Sequence, residues 1–207
     1  MDTRAQLLEV SRKLFSERGV DATTTRAVCQ AAGVTQPTLY HHFGDRDGLV
    51  AAVVEDAFAR FVAHKQQVAA TDDPVDDLRR SFDNYVAFGI AHPELYAVMY
   101  TPRAGSSAGA RRASVMLLGR VAAVARAGRL KLDLALAAQL TASTAHGVTS
   151  LLVTRPEVPW HQDFAVTARD TLLDALTYPA TEAGEPVPEG YIRLVAAAHG
   201  LTLKEAQ

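Results

Sequence analysis

Cysteine is nearly absent from this chain of 207 residues, the one example being Cys29. A single thiol excludes a disulfide framework within the chain and any cysteine-rich zinc site, and it fits a reducing cytosol. With no second cysteine to resolve an oxidised sulfur, Cys29 reads as a small buried residue rather than a redox switch. Long apolar runs are also missing. No stretch approaches the about 18 consecutive apolar residues of a membrane span, and Met1-Asp2-Thr3-Arg4 lacks the basic-then-apolar layout of a secretory signal, so a soluble, cytoplasmic protein with no membrane contact is expected. An excess of one charge is lacking too. Lys plus Arg number 21 and Asp plus Glu 23, a formal net charge of -2, so any nucleic-acid contact has to come from a local surface. The seven histidines share no metal-ligand spacing, and no nucleophile, base and orienting group recur together. Neither a metal, a cofactor nor an enzyme is expected.

What is present is helix-forming pattern. Hydrophobic residues make up 48% of the chain, enough for one large or two small cores, and almost none alternate in the period of a strand. The spacing predicts an all-α protein. Residues 3–18 open with Thr3-x-x-Gln6, the spacing of a capping box, place Leu7, Leu8, Leu14 and Phe15 on one stripe, and stop at Gly19. The run Thr23-Thr24-Thr25 starts a second helix over 26–32, closed by Gly33. Thr35 caps a third, very short helix from Gln36 to about His42, in which Pro37 is tolerated because first-turn amides have no acceptor. A longer helix follows from Asp45 to about Ala70. Next come a helix after Pro74 with Asp76 and Asp77 in its first turn, a short one from Pro93 to Tyr100, and three more at about 106–127, 133–153 and 163–178. The Pro- and Gly-rich stretch 179–190 reads as a linker to a weak helix at 191–199, and Thr181 to Gln207 fits either a disordered tail or an extra docked helix.

Residues 25–42 have the layout of a helix-turn-helix, with Gly33 in the turn. A major groove admits one α-helix, whose first turns project furthest towards base edges. Gln36, Pro37 and Thr38 stand there: Gln forms paired hydrogen bonds to adenine, and the Thr methyl and Pro ring pack on a thymine methyl. Tyr40, His41 and His42 suit phosphate oxygens, as do Thr25 and Thr35 at helix N-termini, and Arg46 opens the next helix within reach of the backbone. Leu39 and Phe43 are expected in the core. Residues 1–48 carry six basic and six acidic side chains, so non-specific affinity is expected to be modest, with a shallow salt dependence.

The stretch Thr24-Thr25-Arg26, Ala31-Ala32-Gly33-Val34-Thr35-Gln36-Pro37-Thr38-Leu39-Tyr40-His41-His42-Phe43 and Arg46-Asp47-x-Leu49, preceded by Leu14-Phe15 and Gly19, resembles the N-terminal domain of TetR-family regulators over about residues 5–54. Arg46 stands where the family more often has Lys, Cys29 where a small Ala is usual, and Gly48 loosens the first turn of the fourth helix. The resemblance implies base contacts from Gln36, Pro37 and Thr38 and phosphate contacts from Thr25, Thr35, Tyr40, His41, His42 and Arg46. It implies a homodimer on palindromic double-stranded operator DNA, released when a small-molecule effector binds a larger helical domain. Repression follows from the resemblance alone, and an activator of the same family, or a helical carrier or enzyme that does not bind an operator, is the rival reading. The expected organisation is a DNA-binding domain over 1–48, an effector-binding and dimerisation domain over 49–178, and a linker with a short helix or tail over 179–207.

Beyond residue 48 most aromatics at helical spacing form core. Candidates to line a largely apolar effector cavity are Phe61, Phe82, Tyr85, Tyr96, Met99, Tyr100, Met116, His146 and Trp160. Between Leu95 and Leu132 there is no acidic residue, against seven cations from Arg103 to Lys131. That segment reads either as a face paired with acids such as Asp72, Asp73, Asp76 and Asp77, or as a rim that attracts an anionic effector. Helices 133–153, rich in Ala and Ser with Gly147, and 163–178 are suited to pair with their symmetry mates in a four-helix interface.

Overall fold

The computed structural model describes residues 2–66, 70–101 and 107–202. Arg103 of the acid-free segment and the last tail residues, 203–207, lie outside the described residues, as does any continuation of the fourth helix over 67–69. Among the described residues there are ten α-helices: α1 Thr3–Arg18, α2 Thr25–Ala32, α3 Gln36–Phe43, α4 Arg46–Gln66, α5 Pro74–Ala91, α6 Pro93–Met99, α7 Ala108–Arg126, α8 Leu134–Thr154, α9 Phe164–Leu176 and α10 Glu189–Ala198. A 3-10 turn spans Ala180–Glu182, and among the described residues there is no sheet beyond an isolated antiparallel bridge between Leu130 and Thr177. None of these helices is long and apolar enough to cross a membrane.

The chain forms two compact units that do not follow chain order. Met1–Ala63 and His92–Arg111 make the first, His64–Ala91 and Arg112–Gln207 the second. In the first unit α1 packs on α2, α3 and α6, and α2 packs on α3. Its core holds Leu7, Leu8, Phe15, Val28, Leu39, Leu49, Val50 and Val53 together with Leu95, Val98 and Met99 of α6. Arg12 is buried in this unit and draws three carboxylates to it: Glu9 at 2.5 Å, Glu94 of α6 at 3.8 Å and Asp56 of α4 at 3.9 Å. A guanidinium taken out of water needs such partners, because a buried charge is strongly disfavoured unless it is paired.

Local signals set most helix ends. Thr24 caps α2 by accepting the Ala27 amide at 3.2 Å, and Gly33 closes it in the left-handed conformation, φ 64°, which a side chain enters only with strain. Asp73 caps α5 through the Val75 amide at 2.8 Å, and Asp133 caps α8 through the amides of Ala135 and Leu136. Two expected caps are corrected by side-chain contacts, one distant in sequence and one local. Asp2, not Thr3, precedes α1, and the Gln6 side chain donates through Nε2 to the Ala32 carbonyl, 3.0 Å away at the end of α2. Thr35 sits at the N-cap of α3, but its hydroxyl pairs with that of Thr38 at 2.9 Å rather than with a backbone amide.

In the second unit one core cluster joins α5, α7, α8, α9 and α10 through Leu78, Val121, Leu134, Leu173, Leu176 and Ile192, and a second gathers Phe82 and Val86 of α5 with Ala145 and Val148 of α8. The tail is therefore ordered as far as it is described. Gly184 donates its amide to the Gly128 carbonyl at 2.8 Å and Val187 donates to Ala125 at 3.0 Å, which leads α10 onto the unit with Ile192, Val195 and Ala196 buried. Three cations of the acid-free segment are paired with carboxylates: Arg120 with Asp77 at 2.7 Å, Arg129 with Asp73 at 2.7 Å and Arg126 with Glu189 at 2.8 Å. Lys131 donates to the Asp174 carbonyl at 2.7 Å and lies over the Tyr178 ring.

Gly128 is the tightest point of this arrangement. Its φ is 66°, and a Cβ there would lie 2.1 Å from the Gly184 carbonyl oxygen, whereas a Cβ on Gly33 at similar φ meets nothing within 4 Å. Gly33→Ala is expected to lose only the left-handed penalty, roughly 1 kcal/mol. Gly128→Ala is expected to lose at least about 2 kcal/mol more, because backbone has to move away from backbone. Urea denaturation of the two variants measures the difference, and limited proteolysis of Gly128→Ala should cut first within 179–190.

Candidate nucleic-acid interface

The eight residues of α3 fall into four rows of i, i+4 pairs. Gln36 and Tyr40 form one exposed row, and Pro37 and His41 the next. Thr38 and His42 are half-buried on the flank. Leu39 and Phe43 form the inner row: Leu39 is 0% exposed, while Phe43, expected in the core, is only half-buried and carries the Arg4 guanidinium over its ring at 5.4 Å. Phe43 stays partly open because it ends the helix, where the chain leaves the core at Gly44. The inner row holds α3 to α1 and α2, and the two outer rows present a polar and aromatic face to solvent.

Thr25, half-buried, opens α2, and Thr35, exposed, precedes α3, so both stand at helix N-termini where free amides and the helix dipole favour anions. Arg46 is half-buried, and one nitrogen of its guanidinium donates to the Val20 carbonyl at 2.6 Å. It thereby ties the start of α4 to the loop after α1. Thr23 does a matching task, its buried hydroxyl donating to the Gly19 carbonyl at 2.8 Å and within reach of the Leu14 carbonyl at 3.2 Å. Sequence reasoning passed over two side chains of this face. Arg26 and Gln30, one turn apart on α2, are exposed and line an open groove with Cys29, Val34 and Gln36. Their signal is the i, i+4 spacing opposite buried Val28 and Ala32. Burial pushes the Cys29 thiol above its ordinary pKa, which keeps it protonated and unreactive.

The residues expected to line an effector cavity are divided between the two units. Phe61, Tyr96, Met99 and Tyr100 belong to the first, where Phe61, Tyr96 and Met99 are buried in the core and exposed Tyr100 lies 4.8 Å from the Tyr96 ring. Phe82, Tyr85, Met116, His146 and Trp160 belong to the second. There Phe82 is buried with Tyr85 and Phe164 at the edge of its cluster, Trp160 stacks on Phe164 with ring centroids 5.1 Å apart, and burial holds the imidazole of His146 below its usual pKa. A separate pocket in that unit is lined by Lys65, Asp77, Ser81, Asn84, Met116 and Arg120. Of the expected residues, Met116 alone reaches it.

A small helical unit presenting a polar, eight-residue helix from a helix-turn-helix, joined in one chain to a second all-helical unit, is the layout of bacterial helix-turn-helix regulatory proteins. Two family models match: residues 7–53 match bacterial regulatory proteins of the tetR family, and residues 78–176 match the tetracyclin repressor-like C-terminal domain. The chain belongs to the TetR family. It is 33% identical over 106 residues to the HTH-type transcriptional repressor KstR2 of Mycobacterium tuberculosis, covering 49% of this chain and 50% of that protein. It is 36% identical over 63 residues to the HTH-type transcriptional regulator UidR of Escherichia coli, covering 28% of this chain and 32% of that protein. The chain thus spans about a third to a half of the curated relatives it matches. The solved structure of the ketosteroid transcriptional regulator KstR2 of Mycobacterium tuberculosis superposes with a TM-score of 0.66 at 21% identity, covering 86% of this chain and 96% of that one. Salmonella enterica GusR superposes with a TM-score of 0.64 at 25% identity, covering 84% and 95%.

In the pocket of the second unit, burial and the neighbouring Arg120 charge lower the Lys65 pKa from 10.5 to about 8. Between those values the unfolded chain still binds a proton that the folded chain has released, so this group makes stability rise with pH across that window. Lys65→Met is expected to raise stability at pH 7 by roughly 1–3 kcal/mol and to flatten the rise between pH 8 and 10. Thermal melts of both proteins across that range measure the difference.

Proposed function

We propose that the protein is a DNA-binding transcriptional repressor that acts as a homodimer on a palindromic operator and is released by a small-molecule effector. The observation that carries this reading is α3, whose outer rows of Gln36, Tyr40, Pro37 and His41 face solvent while Leu39 anchors it from behind. In the groove Gln36 pairs with an adenine edge and Pro37 and Thr38 pack on thymine methyls. Thr25, Thr35, Tyr40, His41, His42 and Arg46 meet phosphates, with Arg26 and Gln30 added from α2. The names of the relatives, a repressor and a regulator of the helix-turn-helix type, support repression over the activator, carrier and enzyme readings.

The dimer is supported by α8 and α9. Leu136 and Leu140 of α8 and Val166 of α9 are exposed large hydrophobics, and a Cβ on Gly147 of α8 would meet nothing within 4 Å. A glycine that its own chain does not crowd, in line with exposed leucines, suits close approach by a partner helix. A two-fold pairing sets the two α3 helices roughly 34–36 Å apart, one per half-site. In this reading residues 1–48 contact DNA, 49–178 bind effector and partner, and the protein works in the cytoplasm, where the operator is. An effector with an apolar body in the second unit weakens DNA binding by preferring the conformation whose α3 spacing does not fit the operator.

The test is selection of bound sequences from random duplexes by the purified protein, across a salt series. A palindrome is expected. Gln36→Ala is expected to lose about tenfold or more in affinity for it, and Gln36→Ala with Tyr40→Ala to abolish binding while sedimentation shows an unchanged dimer. No enrichment, or a double variant that binds as well as the parent, overturns the assignment.

A further inference from the structure

The match to the C-terminal family model ends at residue 176, yet the chain continues through an ordered tail to α10. That tail is fastened to the second unit by the Gly184 and Val187 amides, by the Arg126–Glu189 pair and by the Tyr191 hydroxyl, which donates to the Asp133 carboxylate at the start of α8. The inner side of α10 is core, but its flank is not covered. Tyr191 is 41% exposed and Leu194 65%, with Ala198 exposed one turn further on.

This flank does not stand alone. Of ten exposed large hydrophobics among the described residues, seven lie between Leu132 and Leu194. Tyr191 reaches Asp133, which is flanked by Leu132 and followed one turn on by Leu136, so the α10 flank runs into the exposed leucines of α8. We infer that the Tyr191–Leu194 flank of α10 is an extension of the homodimer interface, seated against a second copy of this chain. The inference rests on the dimer reading above. A two-fold axis that brings α8 and α9 against their mates repeats each contact twice, so a flank continuous with α8 faces the same partner. Apolar area of this kind, bordered by Glu189 and Arg193, is what an interface presents. A contact made by residues beyond the shared family span is one that other members need not have, and it favours pairing of like with like.

Full-length wild type, Leu194→Glu and Leu140→Glu are compared by sedimentation equilibrium over a concentration series, with thermal melts as the folding control. Leu194 is exposed, so Leu194→Glu should melt like wild type at concentrations where both are monomeric. The expected result is a dimer dissociation constant at least tenfold higher for Leu194→Glu, and higher also for Leu140→Glu. A Leu194→Glu protein that dimerises as tightly as wild type, while Leu140→Glu does not, overturns the α10 extension and leaves the dimer reading standing. A wild type that stays monomeric throughout overturns both.

Discussion

An eight-residue helix does not hold together in water, since nucleation is unfavourable and only a few hydrogen bonds follow it. Helix α3 exists because Leu39 is wholly buried and because its neighbours are fixed independently of it. The Gln6 amide ties α1 to the end of α2, Thr23 ties the end of α1 to the start of α2, and Arg46 ties α4 to the loop after α1. These side chains all bond to backbone carbonyls. The frame that aims the outer rows of α3 is thus built on peptide groups, whose positions vary less than those of long side chains, and it leaves the exposed residues free for a ligand.

The second unit solves a different problem, the placing of many arginines on helices. An acid-free stretch of chain concentrates positive charge, and the fold answers by bringing Asp73, Asp77 and Glu189 to it from residues far away in sequence. The Arg126–Glu189 pair is exposed and contributes little to stability, while Asp77 and Arg129 are largely buried within theirs. The effect of the pairs is on register: Arg126 and Arg129, near the end of α7, hold the two segments that α7 has to meet, the start of α5 and the tail.

Much of the fold is legible in the sequence because its helix ends are decided locally. Gly33, Gly128, Asp133 and the prolines at 74 and 93 stop or start helices within a residue or two of where spacing places them, each by a backbone preference that needs no distant partner. The caps at Thr3 and Thr35 are not legible, since the Gln6 side chain is drawn to the Ala32 carbonyl once α1 and α2 pack, and the Thr35 hydroxyl turns to that of Thr38 three residues on. In the interface, the exposure of Gln36, Pro37, Tyr40 and His41 follows from the i, i+4 rows around Leu39. Arg26 and Gln30 escape notice because their neighbourhood to Gln36 arises only from the packing of α2 on α3. The docking of α10 is hidden for a related reason: its apolar pattern is short, and the bonds that lead it onto the unit, from Gly184 to the Gly128 carbonyl and from Val187 to the Ala125 carbonyl, join segments far apart in sequence.

Helix α6 lies against α1, although the stretch His64–Ala91, which belongs to the second unit, precedes it in the chain. The unit that bears α3 is accordingly not a segment that ends where the helix-turn-helix ends, but a composite closed by a returning stretch of the chain. Recombination between relatives at a point just after α4 would join an α1 shaped for one α6 to a different α6, and Arg12 would meet a stranger where Glu94 now stands. Exchange of sensing halves in such a protein is constrained less by the link between domains than by this one small helix, which has to be inherited together with α1.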